Sequence, residues 1–283
     1  MMPLKTIIMT SLLLANGSVF ALQTLDDSSL SQATGQDGIT VTLQDFEPNA
    51  QIIWTDTNGI NSADGIDPAS VGIITTTPQP GAVVFGDGTR ANNFRISKGT
   101  TTLTLDADGN NGSPMLNINI SLPEDLTVQT GDIFVAGKDN NNQLVNMIKI
   151  MNDVKVELGG LDLNVQLGSA PQGQLLKFYG TVVGGIRISN LALISESSGT
   201  EQYGIGIQKI TVRDAGASGD LTFNGSGVSV ANTGLIITPS AGKQVDVLMD
   251  DVKVGNLASS ASIGGVAVLG MQLDGNSLTI SGH

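Results

Sequence analysis

The stretch Leu116-Asn-Ile-Asn-Ile-Ser-Leu122 decides the fold class, because apolar and polar residues alternate through it without a break. Successive side chains of a β-strand point to opposite faces of its sheet, so a period of two predicts a strand with one buried face. The same alternation recurs along the chain, with Val, Ile, Leu and Thr in the alternating runs and Asn, Asp and Gly between them. We therefore expect an all-β protein.

Glycine-containing steps divide several of these runs. Residues 154–167 alternate on either side of Gly159-Gly160, and residues 221–230 do so on either side of Asn224-Gly225. Both steps predict tight turns between antiparallel strands. The paired runs begin seven residues apart, as they do again within residues 245–254. An elongated antiparallel sheet or a β-sandwich explains this spacing best, and solenoid-like stacking is the alternative.

The N-terminus has the pattern of a cleavable export signal. Lys5 supplies a positive charge, residues 7–14 are mostly apolar, and Val19-Phe-Ala21 is a small-residue exit, so we expect cleavage after Ala21. The apolar stretch is much shorter than the roughly 20 residues that a membrane-spanning helix needs. Charged, polar or glycine residues interrupt every later apolar run. We therefore expect an exported protein with no transmembrane span in its mature chain.

Three segments follow from this reading. Residues 1–21 are the expected signal peptide, residues 22–142 an N-terminal β region, and residues 143–283 a C-terminal β region. The N-terminal region is expected to open with a short helix over 26–33, since the sequence offers a capping side chain before it and a glycine after it. Residues 55–100 carry Pro, Asn, Gly and Asp in place of long apolar runs, which predicts a loop-rich insertion.

Composition excludes several classes of function. The chain carries 26 acidic and 13 basic residues, a net charge of −13. Phosphate binding needs clustered Lys and Arg, so we expect no nucleic-acid partner. Cysteine is absent, which excludes disulfides and thiolate metal sites. Stability must therefore come from packing, backbone pairing or contacts between subunits.

The sequence contains few residues in positions suited to catalysis. His283 is the only histidine and ends the chain, where a rigid site with a nucleophile is hard to build. Neighbouring carboxylates such as Asp250 and Asp251 would point to opposite faces of a strand. We expect no catalytic residues, no enzymatic activity and no cofactor.

One short motif is a candidate metal site. Asp106, Asp108 and Asn110 place an oxygen donor at every second position, a spacing that lets a loop bring carboxylates together around calcium. The twelfth position of the motif, where a calcium loop has Glu, is Asn117. A plain turn is the alternative interpretation.

Alternating segments near the two ends of the mature chain are candidate assembly strands. Ile39, Val41 and Leu43 form the first segment, and Leu278 and Ile280 form the second. In an exported β protein such a strand can pair with an open sheet edge of a neighbouring subunit. Ordinary pairing inside the same subunit is the alternative.

The start of the mature chain resembles a known family. Residues 22–39 contain Leu25-Asp-Asp-x-x-Leu30 followed by Thr34-Gly-Gln-Asp-Gly-Ile39, and this block is similar to the mature N-terminus of the FilA-type putative pilus assembly proteins of Gram-negative bacteria. The resemblance implies a component of a fimbria or pilus at the cell surface or in the periplasm, with filament subunits and secretion machinery as partners. It transfers no functional residues.

Together these observations predict an exported structural protein, a subunit or assembly factor of a pilus-like filament used in adhesion or biofilm formation, with self-association among its contacts. The alternative is a soluble extracellular or periplasmic β module that binds carbohydrate or calcium. One Trp, two Tyr and seven Phe give such a module few rings on which a sugar can stack.

Overall fold

The computed structural model describes residues 38–60, 65, 67–72, 79–97, 99–198, 201–216 and 219–281. The chain divides into two compact units, Met1–Ile39 and Thr40–His283. Nearly all described residues belong to the second unit. The expected signal peptide (1–21) and the expected helix (26–33) lie outside the described residues.

The described chain is built from β-strands, which confirms the all-β prediction. Its helical elements are three short 3₁₀ turns, Pro68–Val71, Arg90–Asn92 and Asn110–Gly112, and the described residues include no α-helix. The twenty strands are β1 (Ile39–Leu43), β2 (Asn49–Ala50), β3 (Ile52–Asp56), β4 (Gly81–Phe85), β5 (Phe94–Ile96), β6 (Thr101–Asp108), β7 (Met115–Ser121), β8 (Thr127–Gln129), β9 (Ile133–Lys138), β10 (Leu144–Met151), β11 (Lys155–Glu157), β12 (Leu161–Gly168), β13 (Leu176–Val182), β14 (Ile186–Ser198), β15 (Glu201–Asp214), β16 (Leu221–Ala231), β17 (Gly234–Thr238), β18 (Gln244–Asn256), β19 (Gly264–Gln272) and β20 (Leu278–Ile280).

The strands form two sheets. The eight-stranded sheet has the order β1-β6-β7-β12-β13-β16-β17-β20. In the twelve-stranded sheet β15 pairs along the whole of β14, while the other side of β14 is shared: β11 pairs with residues 187–189 and β10 with Leu193. The sheet therefore has one long side, β14-β15-β18-β19, and two branches, β11-β8-β5-β2 and β10-β9-β4-β3. Strands from both expected regions occur in both sheets.

The two sheets pack against each other as a sandwich. Leu161, Val182 and Leu221 come from the eight-stranded sheet and Val245 from the twelve-stranded one, and together they form a buried cluster. Burial of apolar side chains between facing sheets is the main driving force for such a layered structure. A second buried cluster, Ala82, Val84 and Ala136, lies on the β4-β9 branch.

The turn predicted at Gly159-Gly160 is wrong, because this step connects the two sheets. β11 before it belongs to the twelve-stranded sheet, and β12 after it belongs to the eight-stranded sheet. A Cβ atom on Gly159 would lie 1.8 Å from the carbonyl oxygen of Glu124, and Gly160 has a φ of +66°. The crossover therefore needs glycine for close approach and for backbone conformation.

The hairpin predicted at Asn224-Gly225 is also wrong. Residues 221–231 form one strand, β16, and Gly225 is the extra residue of a bulge with a φ of +81°. The bulge is visible in the register with β13, where Phe178 pairs with Ser226 and Tyr179 with Asn224. Residues 245–254 likewise lie in the single strand β18. The seven-residue spacing thus has no common structural cause.

Candidate functional site

The two predicted assembly segments lie at opposite edges of one sheet. β1 carries Ile39, Val41 and Leu43, and β20 carries Leu278 and Ile280. Among the described strands, β1 pairs only with β6 and β20 only with β17. Side chains at both edges are exposed: Ile39 by 63% and Ile280 by 52%. Each strand therefore offers one unpaired backbone edge with apolar side chains beside it.

The position of β20 depends on a close backbone approach. Leu278, Thr279 and Ile280 pair antiparallel with β17. At the end of this ladder, a Cβ atom on Gly234 would lie 2.2 Å from the carbonyl oxygen of Ile280. Glycine at position 234 thus lets the short terminal strand reach its partner.

Natural sheet edges are commonly protected by charged residues, proline or a covering segment. β1 has the sequence Ile-Thr-Val-Thr-Leu and β20 the sequence Leu-Thr-Ile, so neither contains a charge or a proline. Both edges are chemically suited to accept a further strand.

A third open edge, β19, was missed by the sequence analysis. Within the described part of the chain β19 pairs only with β18, and all nine of its residues are exposed. The four largest apolar side chains on it are Val266, Val268, Leu269 and Met271. The available signal was the apolar run at residues 266–269 between Gly265 and Gly270, which lacks the alternation used to recognise the other strands.

A buried carboxylate holds β19 against β18. The ladder between the two strands is irregular around Asp246, and there the carboxylate accepts a hydrogen bond of 2.9 Å from the backbone N–H of Gly270. Asp246 also lies opposite Arg213 of β15, with 3.6 Å between Oδ2 and Nε. One acidic side chain therefore links three neighbouring strands of the long side.

An apolar cavity of about 390 Å³ lies between the two sheets. Its walls include Phe178, Phe223 and Ile237 of the eight-stranded sheet. Lys243 lies at the wall, where its Nζ donates to the Asp214 carboxylate and to the carbonyl oxygen of Thr222, and sits 5.9 Å from the centre of the Phe223 ring. This cation connects the end of β15 in one sheet with β16 in the other.

Two carboxylates near the sheet contacts have a lowered pKa. Burial alone would raise the pKa of Asp214, but the hydrogen bonds from Lys243 and from the backbone of Thr222 outweigh it. Glu157 of β11 has its pKa lowered mainly by the hydrogen bond from Lys155, at 2.8 Å, and then by that from Arg187 of β14, at 2.6 Å. Both groups act structurally, by fixing strands to one another.

The carboxylates of Asp132 and Asp153 hold the two branches of the twelve-stranded sheet together. Asp153 accepts hydrogen bonds from Arg95 of β5 and Gln129 of β8. Asp132 accepts one from Lys149 of β10 and one from the backbone N–H of Asp153. These hydrogen bonds connect strands and loops where the two branches separate. They therefore satisfy polar groups that no longer have a partner in the strand ladder.

The calcium candidate is used as a turn in the structure. Asp106 and Asp108 end β6, and the Asp108 carboxylate accepts a hydrogen bond of 2.6 Å from the backbone N–H of Asn110. Asp106 is paired across the sheet with Asn117, whose side-chain oxygen already accepts from two neighbouring amides. Within the described ranges, no group of three or more His, Cys, Asp or Glu is placed to hold a metal ion. Calcium binding stays a prediction.

The ionisable groups considered for catalysis are dispersed. Asp250 forms an exposed ion pair with Lys209, at 3.0 Å, and Asp251 has a left-handed backbone with φ of +53°. His283 lies outside the described residues. The absence of enzymatic activity stays a prediction.

Comparison with protein-family models matches residues 1–98 to DUF6160, a family of unknown function. Comparison with curated proteins and with solved structures finds no match. In the part of the chain that the structure describes, no helix is long and apolar enough to cross a membrane.

Proposed function

We propose that this protein is an exported structural subunit of a pilus-like surface filament, assembled by strand pairing between the open edges of its eight-stranded sheet. The observation that supports it most directly is the placement of β1 and β20 at opposite edges of the same sheet. The resemblance of residues 22–39 to FilA-type pilus assembly proteins supports the same function.

The placement of β1 and β20 at opposite edges of the sheet allows a filament to add subunits indefinitely. If β20 of one copy pairs with β1 of the next, the contact joins two different surfaces, and each added copy still presents both. Such heterologous contacts produce open filaments unless the rotation between copies closes a ring. Main-chain hydrogen bonds supply much of the affinity in this mode, with side chains such as Ile39 and Ile280 at the junction.

The proposal is tested by blocking one edge at a time in the purified chain. Val41→Lys places a charge on β1, and Ile280→Lys places one on β20. At a concentration low enough to prevent self-association through other surfaces, we expect each variant alone to sediment as single subunits and to form no filaments in negative-stain electron microscopy. The matched control is Val230→Lys, which replaces an apolar side chain that is also exposed but lies on the interior strand β16, and it should still assemble.

Mixing the two blocked variants gives the decisive result. The Val41→Lys copy retains its β20 edge and the Ile280→Lys copy retains its β1 edge, so at the same low concentration the mixture should form dimers that grow no further. Filaments from either variant alone, or no dimer in the mixture, would contradict the pairing of these edges. Immunogold labelling of intact cells then places the protein: label along filaments supports a shaft subunit, and label confined to the periplasm contradicts a surface role.

A further inference from the structure

The twelve-stranded sheet has a face that is apolar across seven strands. One row of directly paired residues runs across β3, β4, β9, β10, β14, β15 and β18: Ile52, Phe85, Ile133, Met151, Leu193, Ile205 and Val254. A second row lies beside it on the same face: Trp54, Val83, Val135 and Ile148. Directly opposed residues of antiparallel strands share a face, so all eleven side chains point the same way.

Irregular pairing keeps the face apolar through β10. Ile148 pairs with Val135 and Met151 with Ile133. The two residues of β10 are three positions apart, whereas the two residues of β9 are only two positions apart. The bulge between them lets both β10 side chains point to the face that Val135 and Ile133 occupy. Without it, one of the two would point to the opposite face.

Other described residues leave most of this face uncovered, although Ile133 in the first row is only 7% exposed. Seven of the eleven side chains are between 38 and 60% exposed, with Trp54 at the upper limit. The opposite face is different: Val84, Ala136 and Ala192, which alternate with residues of the two rows, are buried. Soluble monomers rarely leave a contiguous apolar surface of this extent exposed, and such surfaces mark interaction sites.

We infer that this face packs against the same face of a second copy of the chain, forming a two-fold dimer in which two twelve-stranded sheets stack. The two rows contain no ionisable side chain, whereas the chain as a whole has a net charge of −13. Two copies repel each other through their acidic surfaces, so contact is least costly where carboxylates are absent. A basic partner would find no carboxylate to pair with on these rows.

The area of the face is sufficient for such a dimer. With roughly 80 Å² from each of the seven exposed side chains, two copies would bury on the order of 1,100 Å², close to the lower bound of about 1,200 Å² for stable interfaces. The partly exposed Val83, Phe85 and Met151 add to this area. A two-fold axis makes the contact self-complementary, because each copy presents the same two rows. Stacked sheets lie about 10 Å apart with interdigitated side chains.

This contact is independent of the edges proposed for filament growth, since the face uses none of the residues of β1 or β20. The test is therefore made in a chain carrying both Val41→Lys and Ile280→Lys, in which edge pairing is blocked. Trp54 is the only tryptophan of the chain, so its fluorescence reports directly on the face. We expect a monomer–dimer equilibrium in sedimentation, together with a blue shift of Trp54 emission and weaker quenching by acrylamide as concentration rises.

Charge substitutions decide whether this face is the contact. Leu193→Lys and Ile148→Lys should each weaken dimerisation at least tenfold and leave Trp54 quenchable at every concentration. Ile53→Lys is the matched control: it is exposed on the same strand as Trp54 but points to the other face, and should dimerise normally. Circular dichroism verifies that each variant is folded.

Three outcomes would overturn the inference. The first is a chain that stays monomeric up to about 100 µM, with Trp54 fully quenchable. The second is a dimer that Ile53→Lys disrupts and Leu193→Lys does not. The third is a monomer whose Trp54 emission shifts only on addition of phosphatidylcholine vesicles, which would assign the face to a lipid surface instead of a second copy.

Discussion

The outward faces of the two sheets differ in the residues at equivalent positions. On the eight-stranded sheet, Thr104, Asn119 and Asn164 are paired across β6, β7 and β12 and form a polar row facing away from the other sheet. On the twelve-stranded sheet the two outward rows through Leu193 and Trp54 are apolar, while the same face carries the ion pair of Lys209 and Asp250 further along. Water can hydrogen-bond to the polar face, so that face needs no covering layer. The apolar face contributes to stability only when another surface removes it from water.

This difference shows how sequence period relates to burial. The strands of the first sheet alternate apolar and polar residues, while β3 and β4 read Ile-Ile-Trp-Thr-Asp and Gly-Ala-Val-Val-Phe. A continuous apolar run is typical of a strand buried on both faces. Here the subunit buries only one face of these strands, so their composition itself points to assembly.

The largest effect distinguishes the covered from the uncovered apolar positions. Leu161→Ala removes a side chain from between the sheets, where it is 6% exposed, and should lower the free energy of unfolding by about 2–5 kcal/mol. Leu193→Ala changes the uncovered face and should cost less than about 1 kcal/mol when measured at concentrations too low for copies to associate. Urea denaturation of both variants measures the two values. Similar losses would mean that the outer face is covered within the subunit.

The next effect concerns the connection between the sheets at Lys243. Lys243→Met keeps the length of the side chain but removes the charge that pairs with Asp214 beside the cavity. We expect a loss of about 1–3 kcal/mol, because Asp214 loses a charged hydrogen-bond donor in a partly buried site. Lys209→Met is the control. It removes one member of an exposed ion pair with Asp250 and should change stability by at most about 0.5 kcal/mol.

A smaller and local effect is expected at the long side of the twelve-stranded sheet. Asp246→Asn keeps an oxygen that can accept from Gly270 but loses the ion pair with Arg213, and should weaken the attachment of β19 by about 1 kcal/mol. Amide hydrogen exchange measured by mass spectrometry should become faster in residues 264–272. Exchange that accelerates equally in β6 and β7 would indicate general destabilisation instead.

The smallest effect is on pH dependence. Asp214 and Glu157 have pKa values below their ordinary values of 3.8 and 4.5. A carboxyl with a lowered folded-state pKa stabilises the fold fully above its unfolded pKa, and that contribution disappears as pH falls through the folded value. We therefore expect these two groups to leave stability unchanged from pH 7 to about 5.5 and to lower it below about 4.5. Thermal unfolding of Glu157→Gln should show a shallower decline; an identical decline would exclude Glu157 as a contributor.

Sequence reasoning predicted the fold better than the connections. The alternation of residues 116–122 predicted β7 (Met115–Ser121) to within one residue at each end. Leu278 and Ile280 lie within β20, as predicted. The steps at Gly159-Gly160 and Asn224-Gly225 were misread as hairpins, because a positive φ suits a crossover or a bulge as well as a tight turn. The partners of the flanking strands determine whether a glycine step becomes a crossover, a bulge or a tight turn.

The candidate edges illustrate the same limit. The exposed apolar strand β19 lacks a period of two, so alternation could not reveal it. The candidate segments at residues 39–43 and 278–280 were found from their alternation and their place near the chain ends, but nothing in the sequence placed them at opposite edges of one sheet. That placement follows from pairing between β1 and β6 and between β17 and β20, which are far apart in the chain.

The sequence by itself determined that this chain forms strands, that it carries no cysteine chemistry, and that its surface is acidic. These properties follow from local periodicity and composition, which act residue by residue. Only the tertiary structure decided which strands share a sheet, which edges stay open, and that the rows through Trp54 and Leu193 form one uncovered apolar face. Such properties depend on long-range backbone pairing, and the same alternating strand satisfies its hydrogen bonds equally well with many partners.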